Sequence, residues 1–189
     1  MERVYASIIG ALWLVLIIYW IISAFKSKKN VSRYNYRFWW FRLGLIAVLL
    51  IVNKLLNGNN TNFDFNIAIH NPVVKTIGLV IFLAGFGLAI WARRYIGRNW
   101  GMPMSVKAEP ELVTTGPYRY VRHPIYSGLM LAIAGTALAI SLYWVIILIA
   151  ASIYFSYSAK KEEAYLTKEF PKNYPSYKKS TKMLIPFIF

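Results

Sequence analysis

There is no cysteine in this chain. Disulfides, thiolate nucleophiles and cysteine-ligated zinc are therefore excluded. Histidine is almost as scarce. The only two are His70 and His123. An imidazole metal site would have to recruit both, and the topology below puts them on opposite sides of a membrane, so no metal is expected. Acids are the third shortage, with seven Asp and Glu against 22 Lys and Arg and a net charge of +15. Such a surplus could point to nucleic acid. Here, however, the basic residues sit in the gaps between apolar blocks, which is the positive-inside pattern of membrane proteins, and nucleic acid is not expected as a partner. Charge is missing altogether from residues 4–25, a run of 22. A bilayer span needs about 20 apolar residues, whereas apolar runs in soluble domains seldom exceed about 14.

What is present is a series of apolar blocks in a chain that is 58% hydrophobic. The first block, 4–25, reads as a span rather than a cleaved signal. It is too long for a signal core and lacks a small-residue cleavage pattern before Lys26. The second, 38–56, opens with Phe38, Trp39, Trp40 and Phe41, an interfacial aromatic belt. A polar loop at 57–72 follows, in which His70 reads as an exposed loop residue and Asn59-Asn60-Thr61 as a glycosylation sequon of little weight. The third block, 73–92, carries Gly78, Ala84, Gly85, Gly87 and Ala89, small residues that permit close helix approach. Two shorter blocks, 125–140 and 144–157, are expected to form a tightly packed hairpin, tilted or incompletely spanning. The tail from Ser158 is polar, helical in character to Phe170, with Pro171 as a stop.

Charge sets the orientation. Residues 26–37 hold five basic residues and no acid, 92–124 hold six basic residues and two acids, and 158–189 hold seven lysines and three glutamates. The expectation is an outside amino terminus and a cytoplasmic carboxyl terminus. The long polar segments 93–123 and 158–189 then share the cytoplasmic face.

Two segments carry candidate chemistry. In the first, Gly116 to Gly128, Arg122 and His123 directly precede Pro124, which turns His123 away from helical torsions and suits the first turn of a helix. Unpaired N–H groups at that helix start, with Arg122, favour an anion; membrane anchoring by Arg and Tyr at an interface is the competing reading. In the second segment, Glu162 and Glu163 form an adjacent acid pair in a chain with few acids. A solvated helix face neutralised by Lys160 and Lys161 is the competing reading there. Together the segments offer a carboxylate for an ammonium, an arginine or helix start for a carboxylate, and Tyr118, Tyr126, Leu112 and Val113 as walls for an adenine. S-adenosylmethionine has all those groups, although another nucleotide could use similar ones. Methyl transfer from it needs alignment and a desolvated nucleophile, but neither cysteine nor metal.

The run Asn99-Trp100, Leu112-Val113, Gly116, Tyr118, Arg122-His123-Pro124 and Tyr126, continued by Glu162-Glu163, Leu166, Phe170, Tyr174, Tyr177 and Pro186, resembles the isoprenylcysteine carboxyl methyltransferase family of integral membrane enzymes. The resemblance covers residue 98 to the carboxyl terminus. With the apolar blocks read above, the chain divides into three amino-terminal transmembrane helices with loops (1–92) and a region 93–189, including the hairpin 125–157 and the tail 158–189, which the resemblance implies is the cofactor-binding catalytic region. The fold class is then an all-α integral membrane protein with five transmembrane helices and a cytoplasmic catalytic region. The resemblance further implies that Leu112, Val113, Tyr118, His123, Pro124, Tyr126 and Glu162 bind S-adenosylmethionine. His123, Glu163 and Arg122 form the candidate catalytic set. Members acting on prenylated cysteine place an arginine four residues before the first glutamate, where this chain has Ser158, and their Phe-Gly becomes Phe170-Pro171.

The acceptor expected is a lipophilic or prenylated carboxylate reached through the membrane lipids, with no obligate protein partner. The closest alternative is a phospholipid amine, which must lose a proton first and would make Glu163, His123 or a tyrosine a base. A nicotinamide-dependent sterol or lipid reductase and a non-catalytic interaction protein complete the set.

Overall fold

The computed structural model describes residues 2–28, 70–101 and 109–186. Within them the chain forms five α-helices: α1 (Glu2–Ala24), α2 (Pro72–Ile96), α3 (Pro124–Ala139), α4 (Trp144–Glu169) and α5 (Tyr174–Ser180). The described residues contain no strand, only an isolated parallel bridge between Val121 and Lys182. The expected second span, 38–56, and most of the loop after it lie outside the described residues.

Local chemistry explains the helix ends. Asn71 caps α2 by accepting from the Val73 N–H at 2.9 Å, and Pro72 follows in the first turn. Gly97, at φ 53°, closes the same helix with its N–H on the Arg93 carbonyl. The span expected to end at residue 92 therefore runs one turn further. α4 is continuous through Ser158 and ends at Glu169, just before Pro171, as the tail sequence indicates.

Among the described residues two helices, Val4–Ala24 and Pro72–Asn99, are long and apolar enough to cross a membrane. On α1, Leu14, Ile17, Ile21 and Ile22 each stand more than half exposed. Water would penalise such a surface; hydrocarbon does not. The protein is a membrane protein by that criterion. α3 is apolar but shorter than the length criterion for a crossing.

The closest packing differs from the hairpin expected between the last two apolar blocks. It joins α2 to α3 through glycines one heptad apart on each helix, Gly78 and Gly85 against Gly128 and Gly135. A Cβ built on Gly128 would lie 2.6 Å from the Ala89 nitrogen, so backbones meet there with no room for a side chain. Gly87, on the other face of α2, meets nothing. α1 joins this pair through Trp13, whose indole N–H donates to Thr136 at 3.2 Å, and through Phe82 and Ile9, both fully buried. A second core lies at the polar end, built from Ala92, Tyr118, Ile125, Tyr126, Ala159, Met183 and Leu184. A cavity opens beside it.

Candidate active site

Pro124 begins α3, and its ring keeps the preceding residue out of the helical region. His123 accordingly sits at φ −126°, ψ 60°. The carboxyl-terminal segment lies along this turn. The N–H of Arg122 donates to the Lys182 carbonyl at 2.8 Å, that of His123 to the Met183 carbonyl at 3.1 Å, and the Ser127 hydroxyl to the Leu184 carbonyl at 2.5 Å. The turn is thus held by main-chain partners from the tail, which leaves its side chains free to meet α4.

Glu162 and Glu163 are consecutive on α4, so their side chains leave the helix about 100° apart. Glu163 is buried and faces a cation cluster: its Oε1 accepts from Arg122 Nε at 2.6 Å and its Oε2 lies 2.8 Å from Lys178 Nζ. Arg122 also donates through Nη1 to the Thr181 and Lys178 carbonyls. Glu162 is partly exposed and accepts from the Tyr126 hydroxyl at 2.6 Å. His123 lies between the two acids, Nδ1 at 3.5 Å from Glu162 and Nε2 at 3.6 Å from Glu163. These separations are ion-pair contacts, and Nε2 has no hydrogen-bond partner. The imidazole stacks on Tyr126, which stacks in turn on Phe155 at 4.7 Å between centroids.

Burial and partners set the protonation states. Burial pushes the Glu163 carboxyl up, but hydrogen bonding and charge from His123, Arg122 and Lys178 outweigh it and hold the group at about 2. Burial also pushes His123 down, yet the two glutamates facing it raise it above its ordinary 6.5. Burial raises the phenols of Tyr118, Tyr174 and Tyr177 well above their usual range. The arrangement is an imidazole with raised proton affinity between two glutamates, of which Glu163 is held ionised, ringed by neutral tyrosines.

These residues border a cavity of ≈ 370 Å³. Of the residues singled out from the sequence, Leu112, Val113, Tyr118, Arg122, His123, Tyr126 and Glu162 line it. Pro124 and Glu163 do not; both are buried behind the wall. Ser158, one turn before Glu162, is also off the wall, fully buried with its hydroxyl unpartnered. Trp20 of α1, Asn99, Trp100 and Glu111 line the cavity without having been singled out as site residues. Trp100 is held by Arg93, whose guanidinium lies 4.5 Å from the indole centroid. Arg93 also donates to the Gly97 and Ser23 carbonyls at 2.8 and 2.7 Å, tying the ends of α1 and α2 together under the cavity. The sequence signal for this was an arginine one position beyond an apolar run, a position ordinarily read as snorkelling.

Comparison with known proteins finds methyltransferases. A family model described as phospholipid methyltransferase matches residues 73–173, from the first turn of α2 to the end of α4 and just beyond. The protein-S-isoprenylcysteine O-methyltransferase of Schizosaccharomyces pombe is 37% identical over 79 residues, 41% of this chain and 34% of that protein. The enzyme of the same name from Saccharomyces cerevisiae is 29% identical over 128 residues, 66% of this chain and 54% of the relative. A probable protein-S-isoprenylcysteine O-methyltransferase from Oryza sativa subsp. indica is 29% identical over 119 residues, 61% of this chain and 62% of the relative. In each case the alignment covers less than two thirds of the relative's own length.

Proposed function

Because its family model takes in more than half of the 189 residues, the chain belongs to the phospholipid methyltransferase family, and on that premise we propose that it is a membrane enzyme moving a methyl group from S-adenosylmethionine to a lipophilic carboxylate of the isoprenylcysteine type. The observation that carries the reading is the meeting of Glu162 with His123 at the wall of a cavity with mostly apolar lining. The family and the relatives named above are methyltransferases, which favours this reading over a reductase or a non-catalytic scaffold.

The residues fit the cofactor. The cavity is of the size that small-molecule sites have. Glu162 offers a carboxylate to an ammonium. Arg122 has Nη2 without a hydrogen bond among the described residues, and so offers a donor to a carboxylate. Leu112, Val113 and Tyr118 wall an adenine, with Tyr126 beside it on the first turn of α3, which Pro124 sets from behind the wall. When bound, S-adenosylmethionine supplies a methyl group on a sulfonium, an electrophile that needs an aligned nucleophile and little water. Tyr126 fixes Glu162 through its hydroxyl, and Glu163 fixes Arg122.

The same protonation pattern selects the acceptor. An amine must lose a proton before attack, whereas a carboxylate is already ionised. Glu163 is engaged by Arg122 and Lys178, and burial keeps Tyr174 and Tyr177 neutral. Glu163 and these tyrosines are therefore poor bases for an amine, which favours the carboxylate. In this reading His123, Arg122 and Glu163 act by charge and position. The chain crosses the bilayer five times, with the amino terminus outside and the cavity on the cytoplasmic side, where positive residues concentrate.

The test is to incubate the purified full chain with methyl-labelled S-adenosylmethionine, prenylcysteine analogues and phospholipids, followed by mass spectrometry. Label in a prenylcysteine methyl ester is the expected result. Label only in a phospholipid amine would move the reading to the alternative acceptor, and no transfer to either class would overturn it.

A further inference from the structure

The cavity has a second polar edge, away in sequence from the histidine–glutamate cluster. Glu111 and Asn99 both line it. Glu111 precedes Leu112 and Val113 directly; Asn99 ends the short 3₁₀ turn that follows α2. The Asn99 amide donates to Glu111 Oε2 at 3.3 Å, and Lys28 Nζ meets Glu111 Oε1 at 2.7 Å. Lys28 also donates to the Glu109 carbonyl at 2.8 Å, and its own N–H to the Arg98 carbonyl at 2.8 Å. One lysine at the end of α1 therefore ties together both strips of chain that carry the pair. Glu109 itself stands at φ 47°, a conformation rarely adopted outside glycine, next to Lys28's grip on its carbonyl.

The pair is rich in acceptors. A carboxylate has about four lone-pair positions and an amide oxygen two. Glu111 receives one donor on each oxygen, which leaves about half of its capacity. Asn99 Oδ1 is buried at a cavity-lining residue and has no partner. A buried acceptor without a donor is costly, so the ligand that fits here brings O–H or N–H groups. Lys28 already balances the Glu111 charge at contact distance, which favours a neutral donor over a second cation.

We propose that Asn99 and Glu111 bind the vicinal hydroxyls of a ribose, with Lys28 holding the carboxylate in register. This rests on the adenosyl-cofactor reading and deepens it. The residues next in sequence, Leu112 and Val113, wall the base attached to that sugar, so one short strip of chain serves adenine and ribose together. The amino-acid end then falls to Glu162 and Arg122. Carboxylates take ribose hydroxyls in unrelated nucleotide sites for the same reason: a charged acceptor opposite two adjacent donors.

Calorimetry on the full chain in lipid nanodiscs tests this with three probes. S-adenosylhomocysteine carries the diol and the amino-acid end. 5′-Methylthioadenosine keeps the diol and lacks the amino-acid end. 5′-Methylthio-2′-deoxyadenosine lacks one hydroxyl as well. The wild-type chain should bind the deoxy probe about tenfold or more weakly than its ribose counterpart. Glu111→Gln should weaken both ribose probes by a similar factor and shrink the ribose–deoxy difference, and Asn99→Ala should do the same. Equal binding of the two methylthio probes by the wild type overturns the proposal while leaving the cofactor reading intact. So does a Glu111→Gln loss confined to S-adenosylhomocysteine, which would place the ammonium there instead. No binding of S-adenosylhomocysteine by the wild type overturns both. Glu111 is largely exposed, so its variant keeps the fold and the comparison stands.

Discussion

The α2–α3 seam and the histidine–glutamate cluster are held by opposite means. The seam is shape alone: four glycines, backbone against backbone, and no charged group among the contacts they make. The cluster is charge in a confined space, with Glu163 nearly inaccessible between Arg122, His123 and Lys178. In hydrocarbon, helices gain nothing from burying apolar side chains against one another, so close approach must come from small residues. At the polar edge, charges persist because each has a partner, and the geometry they fix is that of the cavity wall. The first region supports the second, since Gly128 lies one turn after Pro124 on the same helix that begins with the histidine–proline turn.

The sharpest break should come from Glu163→Ala. It leaves Arg122 buried without its carboxylate and His123 with Glu162 alone, a loss of about 3–5 kcal/mol by analogy with other buried pairs. Thermal unfolding in detergent should show it together with loss of S-adenosylhomocysteine binding. Gly135→Leu attacks the seam instead. Its side chain would enter the Phe82 backbone, and a cost of about 1–3 kcal/mol or more is expected from overpacking. Binding should fall in proportion to the folded fraction, with the residual sites of unchanged affinity. If affinity dropped in the folded fraction, the seam would be part of the site and not only its support.

Glu162→Gln separates the two regions from the other side. The residue is partly exposed and faces the cavity, so stability should change by less than about 1 kcal/mol while S-adenosylhomocysteine affinity falls about tenfold. Unchanged affinity would remove Glu162 from the cofactor site. The smallest effect is a pH window. The Glu163 contribution is present above its ordinary 4.5 and lost as pH falls through about 2. The His123 contribution is present below its ordinary 6.5 and lost as pH rises through its raised value. The cluster is therefore strongest between 4.5 and 6.5. A melting curve series should decline on the alkaline side, and His123→Gln should flatten that decline.

Much of this was legible in the residues. Apolar runs and Pro or Gly punctuation bound α2, α3 and α4 to within about a turn, because those signals are local. The histidine–proline turn and the acid pair were conspicuous because the chain has so few histidines and acids. The same scarcity could have drawn attention to Glu111, which was counted only as charge. Arg93, Trp20 and Trp100 were not legible as site residues. Nothing local distinguishes an arginine that caps two helix ends from one that reaches for headgroups, or a tryptophan on a cavity wall from one in an interfacial belt. Ser158 shows the limit of carrying a position across a family: it shares a helix face with Glu162 but lies off the cavity wall.

The sequence by itself determined that this is a helical membrane protein with a basic, acid-poor polar face, and where the histidine–proline turn and the acid pair fall along its helices, since helix periodicity, hydropathy and proline geometry act over a few residues. Which helix packs against which, and how the two glutamates divide their tasks, was decided only by the tertiary structure. Those outcomes depend on contacts between groups tens of residues apart: glycine faces that mate, a tail laid along a turn, and one helix rotation that sends Glu162 to the cavity and Glu163 to the cations.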